Sequence, residues 1–249
     1  MTPLLKVENL SKRFGGLVAV KDVSFELQAG EITGILGPNG AGKTTLFNLL
    51  TGFIPMDQGT VIFDGERLNG LKPYRIVNKG LARTFQLVRP FMGMTVLENV
   101  VVGCLAPRVS DIAHSMHKRA QEILDQVGLG AKSDLPVEIL TYGDQRRLEI
   151  ARALATKPKL LLLDEPFAGL GTSEIDPLAA LIRRLHREEG LTILIIEHRL
   201  QEFMALVSRV IAIDFGAVIA TGTPAEIVRH PQVVEAYIGR TEEAPLGAA

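Results

Sequence analysis

The 249-residue sequence lacks the marks of a secreted or membrane-spanning chain. It has a single cysteine, Cys104, which excludes an internal disulfide and fits a reducing compartment. No apolar run approaches the roughly 20 residues that cross a bilayer, and the first residues lack the basic-then-apolar pattern of a secretory signal. We therefore expect a soluble, cytoplasmic chain that reaches a membrane only by docking on another protein.

A charge excess of either sign is also missing. Lys and Arg total 27 against 28 Asp and Glu, a formal net charge of −1. This balance argues against strong nonspecific binding to nucleic acid or anionic lipid, although a local basic patch stays possible. Internal repeats and low-complexity segments are absent too. The length and the 47% hydrophobic content indicate one large globular domain, or one core with a smaller lobe.

What the sequence does have is a glycine-rich loop of the form G-x-x-x-x-G-K-[ST]. The loop consists of Gly37, Pro38, Asn39, Gly40, Ala41, Gly42, Lys43, Thr44 and Thr45. A short apolar strand is predicted before it and a helix after it, so that backbone N–H groups and the helix N-terminus form an anion site. Lys43 is expected to reach the β- and γ-phosphates, and the Thr44 hydroxyl to ligate Mg²⁺. A nucleoside triphosphate site is therefore predicted; a turn that merely joins strand to helix is the weaker alternative.

Patterns along the rest of the chain predict an α/β fold. Apolar runs at 160–163 and 191–196, with a helix predicted over Ser173–Glu189 between them, are typical of a parallel sheet with crossover helices. Pro177 is expected in about the first turn of that helix, where proline is tolerated. Short strands near the N-terminus, not separated by helices, predict an antiparallel sheet beside the nucleotide core.

Helical spacing in the middle of the chain predicts an inserted lobe. Apolar residues recur at helical intervals over 116–127 and 145–155. We therefore expect an ATP-binding core with an antiparallel β subdomain at residues 1–94 and 157–240. An inserted α-helical subdomain is expected at 95–156, and a flexible tail at 241–249.

Acidic and polar residues follow the predicted parallel strands, at the sheet edge where ligands of such sheets bind. Asp164 and Glu165 follow one apolar run, and His198 comes shortly after the other. Asp164 is predicted to hold Mg²⁺ and Glu165 to polarise the attacking water. His198 is a candidate contact of the γ-phosphate, and Gln86 a candidate contact of Mg²⁺ and water, but each signal is weak alone.

A second phosphate site is predicted at the start of the helix near residue 145. Thr141-x-x-Asp144 has the form of a helix capping box. The hydroxyl of Thr141 and the small Gly143 at a helix N-terminus also suit a phosphate. The capping and binding interpretations are compatible.

Together these motifs resemble the ATP-binding subunit of an ABC transporter, from about Leu4 to Gly239. The glycine-rich loop resembles Walker A, residues 160–165 resemble Walker B with its catalytic glutamate, and residues 140–144 resemble the signature usually written LSGGQ. The resemblance implies a P-loop NTPase core of the ABC ATPase type.

Three single residues gain roles from this resemblance. Gln86 resembles the Q-loop glutamine and His198 the switch histidine. Phe14 resembles the aromatic residue that stacks on adenine, a role that its position alone does not indicate. ATP and Mg²⁺ are the cofactors that the resemblance implies.

Several segments are more closely similar to ATPase subunits of bacterial importers for branched-chain amino acids. These segments are Arg83–Gln86, residues 140–154, residues 164–170 and residues 234–239. Urea and amide importers are similar enough to stay open, and an exporter or lipid-transport ATPase differs little. A soluble ABC ATPase acting on nucleic acid or ribosomes fits less well, because the chain has one cassette and no basic stripe. A module without turnover is disfavoured by the intact acid pair.

The resemblance also implies an assembly. Two copies, or this chain and a paralogue, would pair head to tail, with each ATP between Walker A of one subunit and the signature of the other. Two transmembrane permeases would dock near Gln86 and the inserted lobe, placing the chain peripherally on the cytoplasmic face of the membrane. A periplasmic or extracellular solute-binding protein would be an indirect partner, and no nucleic acid is expected.

Three departures from the family pattern stand out. The signature has Thr141, Tyr142 and Asp144 where Ser, Gly and Gln are usual. Asp144 would place a negative charge near a phosphate unless it caps the helix. Gly171 stands where Asp is common, which puts one contact across the dimer in doubt, and Arg199 follows the histidine where Asp is common.

Overall fold

The computed structural model describes residues 2–109 and 116–238. Within them the strands are β1 (Leu5–Phe14), β2 (Leu17–Leu27), β3 (Ile32–Leu36), β4 (Gln58–Phe63), β5 (Glu66–Arg67), β6 (Leu81–Arg83), β7 (Leu160–Asp164), β8 (Thr192–Ile196), β9 (Arg209–Asp214) and β10 (Ala217–Gly222). The helices are α1 (Lys43–Leu50), α2 (Pro73–Lys79), α3 (Val96–Cys104), α4 (Met116–Val127), α5 (Tyr142–Ala155), α6 (Thr172–Glu189), α7 (Leu200–Leu206), α8 (Pro224–Ile227) and α9 (Pro231–Ile238).

The larger sheet has six strands in the order β10-β9-β3-β8-β7-β6. Its pairs are parallel except for β9 with β10, which form a hairpin. Strands β3, β7 and β8 are buried along their whole length, which confirms the interpretation of the apolar runs as strands covered on both faces. The carboxyl ends of these three parallel strands lie at one edge of the sheet. The glycine-rich loop starts at that edge, directly after β3.

The smaller sheet is antiparallel, in the order β2-β1-β4-β5, as predicted. The sequence pattern predicts its first two strands at 4–10 and 23–27, but both are longer and pair from Leu5 with Leu27 to Phe14 with Leu17. The turn between them uses Gly15 at a φ of 55°. The sequence pattern does not predict the parts of β1 and β2 next to this turn, because their residues alternate less strictly and are only partly buried.

Helices α3, α4 and α5 lie between β6 and β7 in the chain and pack on one another. The buried face of α4 consists of the predicted Ala120, Ile123, Leu124 and Val127. Helix α5 begins at Tyr142, three residues before the predicted start at Gln145. The limits of the inserted subdomain at 95 and 156 stay a prediction, and the tail at 241–249 lies outside the described residues.

Two apolar cores lie on opposite faces of the parallel sheet. Leu161 and Leu163 of β7 join the core formed with the helices of the inserted stretch and α6. Leu160 and Leu162 of the same strand join the core formed with α1 and the antiparallel sheet. This alternation holds the strand ends rigidly between two packed layers.

The position expected for Pro177 is wrong. Helix α6 starts at Thr172, so Pro177 is its sixth residue and lies inside the helix, beyond the first turn. Proline has no N–H to donate, so the helical hydrogen bond to the carbonyl of Ser173 cannot form. The buried residues Ile175, Leu178 and Ile182 hold the helix on the sheet on both sides of this position.

Among the described residues, no helix combines the length and the apolar character that crossing a membrane requires.

Candidate nucleotide-binding and hydrolysis site

The glycine-rich loop joins β3 to α1, and two of its glycines are required by space. A Cβ on Gly37 would lie 2.2 Å from the carbonyl oxygen of Ile213. A Cβ on Gly42 would lie 2.3 Å from the carbonyl oxygen of Ala19, and Gly42 has a φ of 99°. The loop is therefore pressed against the neighbouring strands, and side chains at these positions would displace it.

Lys43 folds over the loop rather than pointing into solvent. Its side chain is buried, and Nζ donates hydrogen bonds to the carbonyl oxygens of Gly37 at 2.6 Å and Pro38 at 2.9 Å. The ammonium is thus fixed above the loop backbone, where a phosphate chain held by the loop would meet a cation. The remaining loop residues, Asn39 to Ala41, Thr44 and Thr45, complete the turn and the start of α1.

The three predicted metal ligands line a single cavity. Thr44, Gln86 and Asp164 border a space of about 780 Å³ that opens beside the loop. A hydroxyl, an amide oxygen and a carboxylate form an oxygen-only donor set, which suits Mg²⁺ together with phosphate oxygens and water. The residues present therefore fit the metal that the sequence predicts.

Asp164 is held by a buried arginine. Arg83 Nη2 lies 2.6 Å from Asp164 Oδ2, and the two side chains are 5% and 2% exposed. Arg83 Nη1 also donates to Asn48 Oδ1 at 2.7 Å. The guanidinium lies between the rings of Phe47 and Phe85. A carboxylate this deep needs a cation beside it, and the Arg83 guanidinium pairs with Asp164 and holds it in place.

Glu165 brings together the three predicted catalytic residues. Gln86 Nε2 donates to Glu165 Oε2 at 2.7 Å, and His198 Nε2 lies 2.7 Å from Glu165 Oε1. The residues come from the segment after β6, the end of β7 and the segment after β8. Glu165 has a φ of 49°, a left-handed backbone conformation that is uncommon for glutamate.

Glu197 ties the histidine segment to the segment after β7. Its carboxylate accepts hydrogen bonds from the backbone N–H of His198 at 2.9 Å and of Phe167 at 3.0 Å. Burial raises the pKa of Glu197, and the nearby Glu165 carboxylate raises this pKa further, against the lowering effect of the N–H donors. Sequence reasoning gave Glu197 no role, because nothing local separates it from His198 as a strand-end residue.

Phe14 lies at the end of β1 and is about half exposed. Lys12 Nζ is 5.5 Å from the ring centre. The hairpin that follows Phe14 returns past the glycine-rich loop, where Ala19 abuts Gly42. The exposed ring is available to stack on a base, and this role stays a prediction.

Thr141 and Gly143 lie elsewhere, at the N-terminus of α5. They border a separate small cavity of about 50 Å³ with Asp144 and Glu174, and neither residue lines the cavity of Thr44 and Asp164. Thr141 Oγ1 accepts from the N–H of Asp144 at 3.2 Å and so caps the helix. The structure therefore does not bring the second predicted phosphate site to the first within one chain.

The departures from the signature have local explanations. The Asp144 carboxylate forms an ion pair with Lys132, which offsets its negative charge. The ring of Tyr142 packs on Gly169, where a Cβ would lie 2.9 Å from the ring. Arg199, unexplained by the sequence, donates to the carbonyl oxygen of Leu170 at 3.1 Å and so holds the segment after β7.

The fold and the loop define a P-loop nucleotide-binding protein, and comparison with known proteins gives its family. A family model described as ABC transporter matches residues 20–168. A second model, described as branched-chain amino acid ATP-binding cassette transporter, matches residues 217–243. The chain belongs to the ATP-binding family of ABC transporters and is an ATPase of that family.

Relatives match over nearly the whole chain. The high-affinity branched-chain amino acid transport ATP-binding protein BraF of Pseudomonas aeruginosa is 42% identical, covering 95% of this chain and 98% of its own length. LivG of Escherichia coli K12, with the same description, has the same identity and coverage. The lipopolysaccharide export system ATP-binding protein LptB of Escherichia coli K12 is 37% identical, covering 94% of this chain and 97% of its own.

Solved structures agree with the fold. The ADP conformation of MJ1267, an ATP-binding cassette of an ABC transporter, has a TM-score of 0.86 at 33% identity and covers 96% of this chain and 100% of its own. A dimeric structure of MJ0796, a bacterial ABC transporter cassette, has a TM-score of 0.79 at 27% identity, covering 88% and 98%.

Proposed function

We propose that this chain is the ATP-hydrolysing motor subunit of an importer for branched-chain amino acids. The observation that carries the hydrolytic part of the proposal is the Glu165 cluster, in which Gln86 and His198 both contact the Glu165 carboxylate. Gln86 also lines the cavity of Thr44 and Asp164, which supports a base beside a metal and phosphate site. The importer and its cargo rest on the printed descriptions of BraF and LivG and on the match at residues 217–243.

In the proposed reaction, the glycine-rich loop and Lys43 bind the phosphate chain of ATP, with Phe14 against the adenine. Thr44, Asp164 and Gln86 would hold Mg²⁺, which would supply positive charge to stabilise the phosphates during transfer. Glu165 accepts a hydrogen bond from the attacking water and orients it toward the γ-phosphorus. Gln86 and His198 fix the Glu165 carboxylate, and His198 senses the γ-phosphate by hydrogen bonding to it.

We propose further that ATP is shared between two subunits. The separation of Thr141 and Gly143 from the cavity of Thr44 and Asp164 supports this, since each chain would then carry two separate half-sites. The dimeric structure of MJ0796 is a precedent in a protein of the same fold. Binding of ATP would close the head-to-tail pair, and hydrolysis would open it.

The permeases are proposed to dock on the apolar part of the same cavity that Gln86 lines. Its exposed apolar side chains include Phe53, Phe85, Leu87 and Phe91, which suit insertion of a short amphipathic helix. The chain would then sit peripherally on the cytoplasmic face of the membrane.

The proposal is tested by purifying the tagged chain from mildly solubilised membranes of its own source and measuring leucine uptake in the same cells. We expect two multi-span permeases to accompany it, and Glu165→Gln to abolish uptake while leaving their recovery intact. Recovery with ribosomes or nucleic acid would contradict the transporter role. If the Glu165→Gln variant lost urea uptake but kept leucine uptake, the proposed cargo would be wrong while the transporter role would stand.

A further inference from the structure

The backbone around Gln86 is held by one face of helix α5. Glu149 Oε1 accepts from the N–H of Phe85 at 2.6 Å. Arg146 Nη1 donates to the carbonyl oxygen of Phe85 at 2.9 Å, and its Nη2 to the carbonyl oxygen of Gln86 at 2.6 Å. Two side chains one turn apart thus bind three consecutive peptide groups, the one before Phe85 and the two on either side of Gln86.

This pair is buried and committed to that grip. Arg146 is 2% exposed and Glu149 is 9% exposed, and the two charges are 3.5 Å apart. Arg146 Nη2 also contacts Tyr142 Oη at 2.9 Å, and its guanidinium lies 5.2 Å from the Tyr142 ring centre. Arg146 Nε is buried without a hydrogen-bond partner. The guanidinium therefore leaves one donor unpaired while its two terminal nitrogens bond to the carbonyl oxygens.

Arg146 also contacts the segment that follows Glu165. Its Nη2 lies 3.4 Å from the carbonyl oxygen of Ala168, three residues after Glu165. Gln86 donates to the Glu165 carboxylate, and Ala168 belongs to the segment that follows Glu165 in the chain. Arg146 therefore contacts both the Gln86 segment and the segment that follows Glu165. It makes these contacts from α5, outside the glycine-rich loop.

We infer that Arg146 and Glu149 are positioning residues for hydrolysis, which hold Gln86 against Glu165 and link that contact to the placement of α5. The second part rests on the proposed function. Thr141 and Gly143 at the start of α5 would meet the ATP of the partner subunit, and Arg146 follows one turn later. A shift of this rigid helix moves the two carbonyls, so that occupation of one ATP site sets the geometry of the other.

The positioning role is tested first without hydrolysis, by hydrogen–deuterium exchange on the full chain. Arg146→Gln is expected to speed exchange at the amides of residues 84–88, with Glu149→Ala doing the same and Glu149→Gln less, because Gln keeps an acceptor for Phe85. The control is Arg119→Gln, which removes an arginine bond to the carbonyl oxygen of Ala155 at the far end of α5. Equal exchange at residues 84–88 in parent and Arg146→Gln would overturn the inference.

The kinetic test separates positioning from stability. We expect Arg146→Gln to lower kcat about 10- to 100-fold, the range for a small misplacement of a catalytic group, while the Kd for ATP changes little. Arg146→Lys should recover only part of kcat, because a single ammonium does not reproduce the planar fork whose two terminal nitrogens reach separate carbonyl oxygens. Arg119→Gln should keep the parental kcat. A raised Kd with unchanged kcat would overturn the positioning role.

The link between sites has its own readout, the Hill coefficient for ATP. We expect a Hill coefficient above 1 in the parent and near 1 in Arg146→Gln. A parent that hydrolyses ATP without cooperativity would overturn only the proposed link between the sites. A parent that binds no ATP would overturn the proposed function, and hydrogen–deuterium exchange would still decide whether Arg146 holds the Gln86 segment.

Discussion

At the scale of single residues, the site depends on buried charges that are paired in specific ways. Arg83 neutralises Asp164, and Arg146 with Glu149 fixes the backbone of Gln86. Removing one member of such a pair leaves an unpaired buried charge, whereas exposed ion pairs of this chain contribute little. The catalytic geometry is therefore sensitive to residues that never touch ATP.

Glu149 makes stability depend on pH. Burial raises its pKa to about 6, while the Phe85 N–H, Arg146 and Arg152 lower it in part. Because this pKa exceeds the value of an unfolded glutamate, the protonated group stabilises the fold below about pH 4.5, and this contribution is lost as pH rises through 6. Between pH 5 and pH 7 the parent should lose about 1 kcal/mol of unfolding free energy relative to Glu149→Gln. Denaturant titrations at both pH values measure it, and a constant difference would refute the assignment.

Gly42 is required by the loop geometry. With a φ of 99° and the Ala19 carbonyl in the space of a Cβ, Gly42→Ala must shift the loop. We expect it to weaken ATP binding by at least about tenfold, roughly 1.4 kcal/mol, because the backbone N–H groups no longer converge. Calorimetric titration with ATP measures this, and Gly65→Ala is a control, since it has a similar φ of 78° with open space around it. Similar affinities in both variants would contradict the argument.

At the scale of elements, strands β7 and β8 and the loop before α1 are predictable from sequence, since fully buried strands and phosphate loops have local signatures. The start of α5 is not, because Tyr142-Gly143-Asp144 carries no apolar period and only the Thr141 cap marks it. The grip of Arg146 on Phe85 joins positions 61 residues apart, and no spacing rule connects them. Local patterns thus predict elements, while contacts between elements need the packed structure.

The cap of α5 gives a prediction at this scale. Thr141→Ala removes the acceptor for the Asp144 N–H and should lower the unfolding free energy by about 1 kcal/mol without nucleotide. Thr141→Ser keeps the hydroxyl and should stay close to the parent. Thermal and denaturant unfolding of the three proteins compare them, and an alanine variant as stable as the serine variant would show that the cap does not matter.

At the scale of the whole molecule, the proposed function gives one chain two incomplete halves of a site. The glycine-rich loop, Asp164 and Glu165 lie at one edge of the parallel sheet, while Thr141 and Gly143 lie around a separate cavity at the start of α5. A second subunit would complete each half, and ATP would join the two chains. Dimerisation driven by ATP is therefore the central claim of this account.

The most direct test is the mass of Glu165→Gln in solution, measured by size-exclusion chromatography with light scattering, with and without ATP and Mg²⁺. We predict a monomer without nucleotide and a stable dimer with ATP, because binding persists while hydrolysis is very slow. Lys43→Ala, which lacks the ammonium proposed to bind phosphate, should stay monomeric in both conditions. A Glu165→Gln protein that stays monomeric at saturating ATP, or that hydrolyses ATP at the parental rate, would contradict the account.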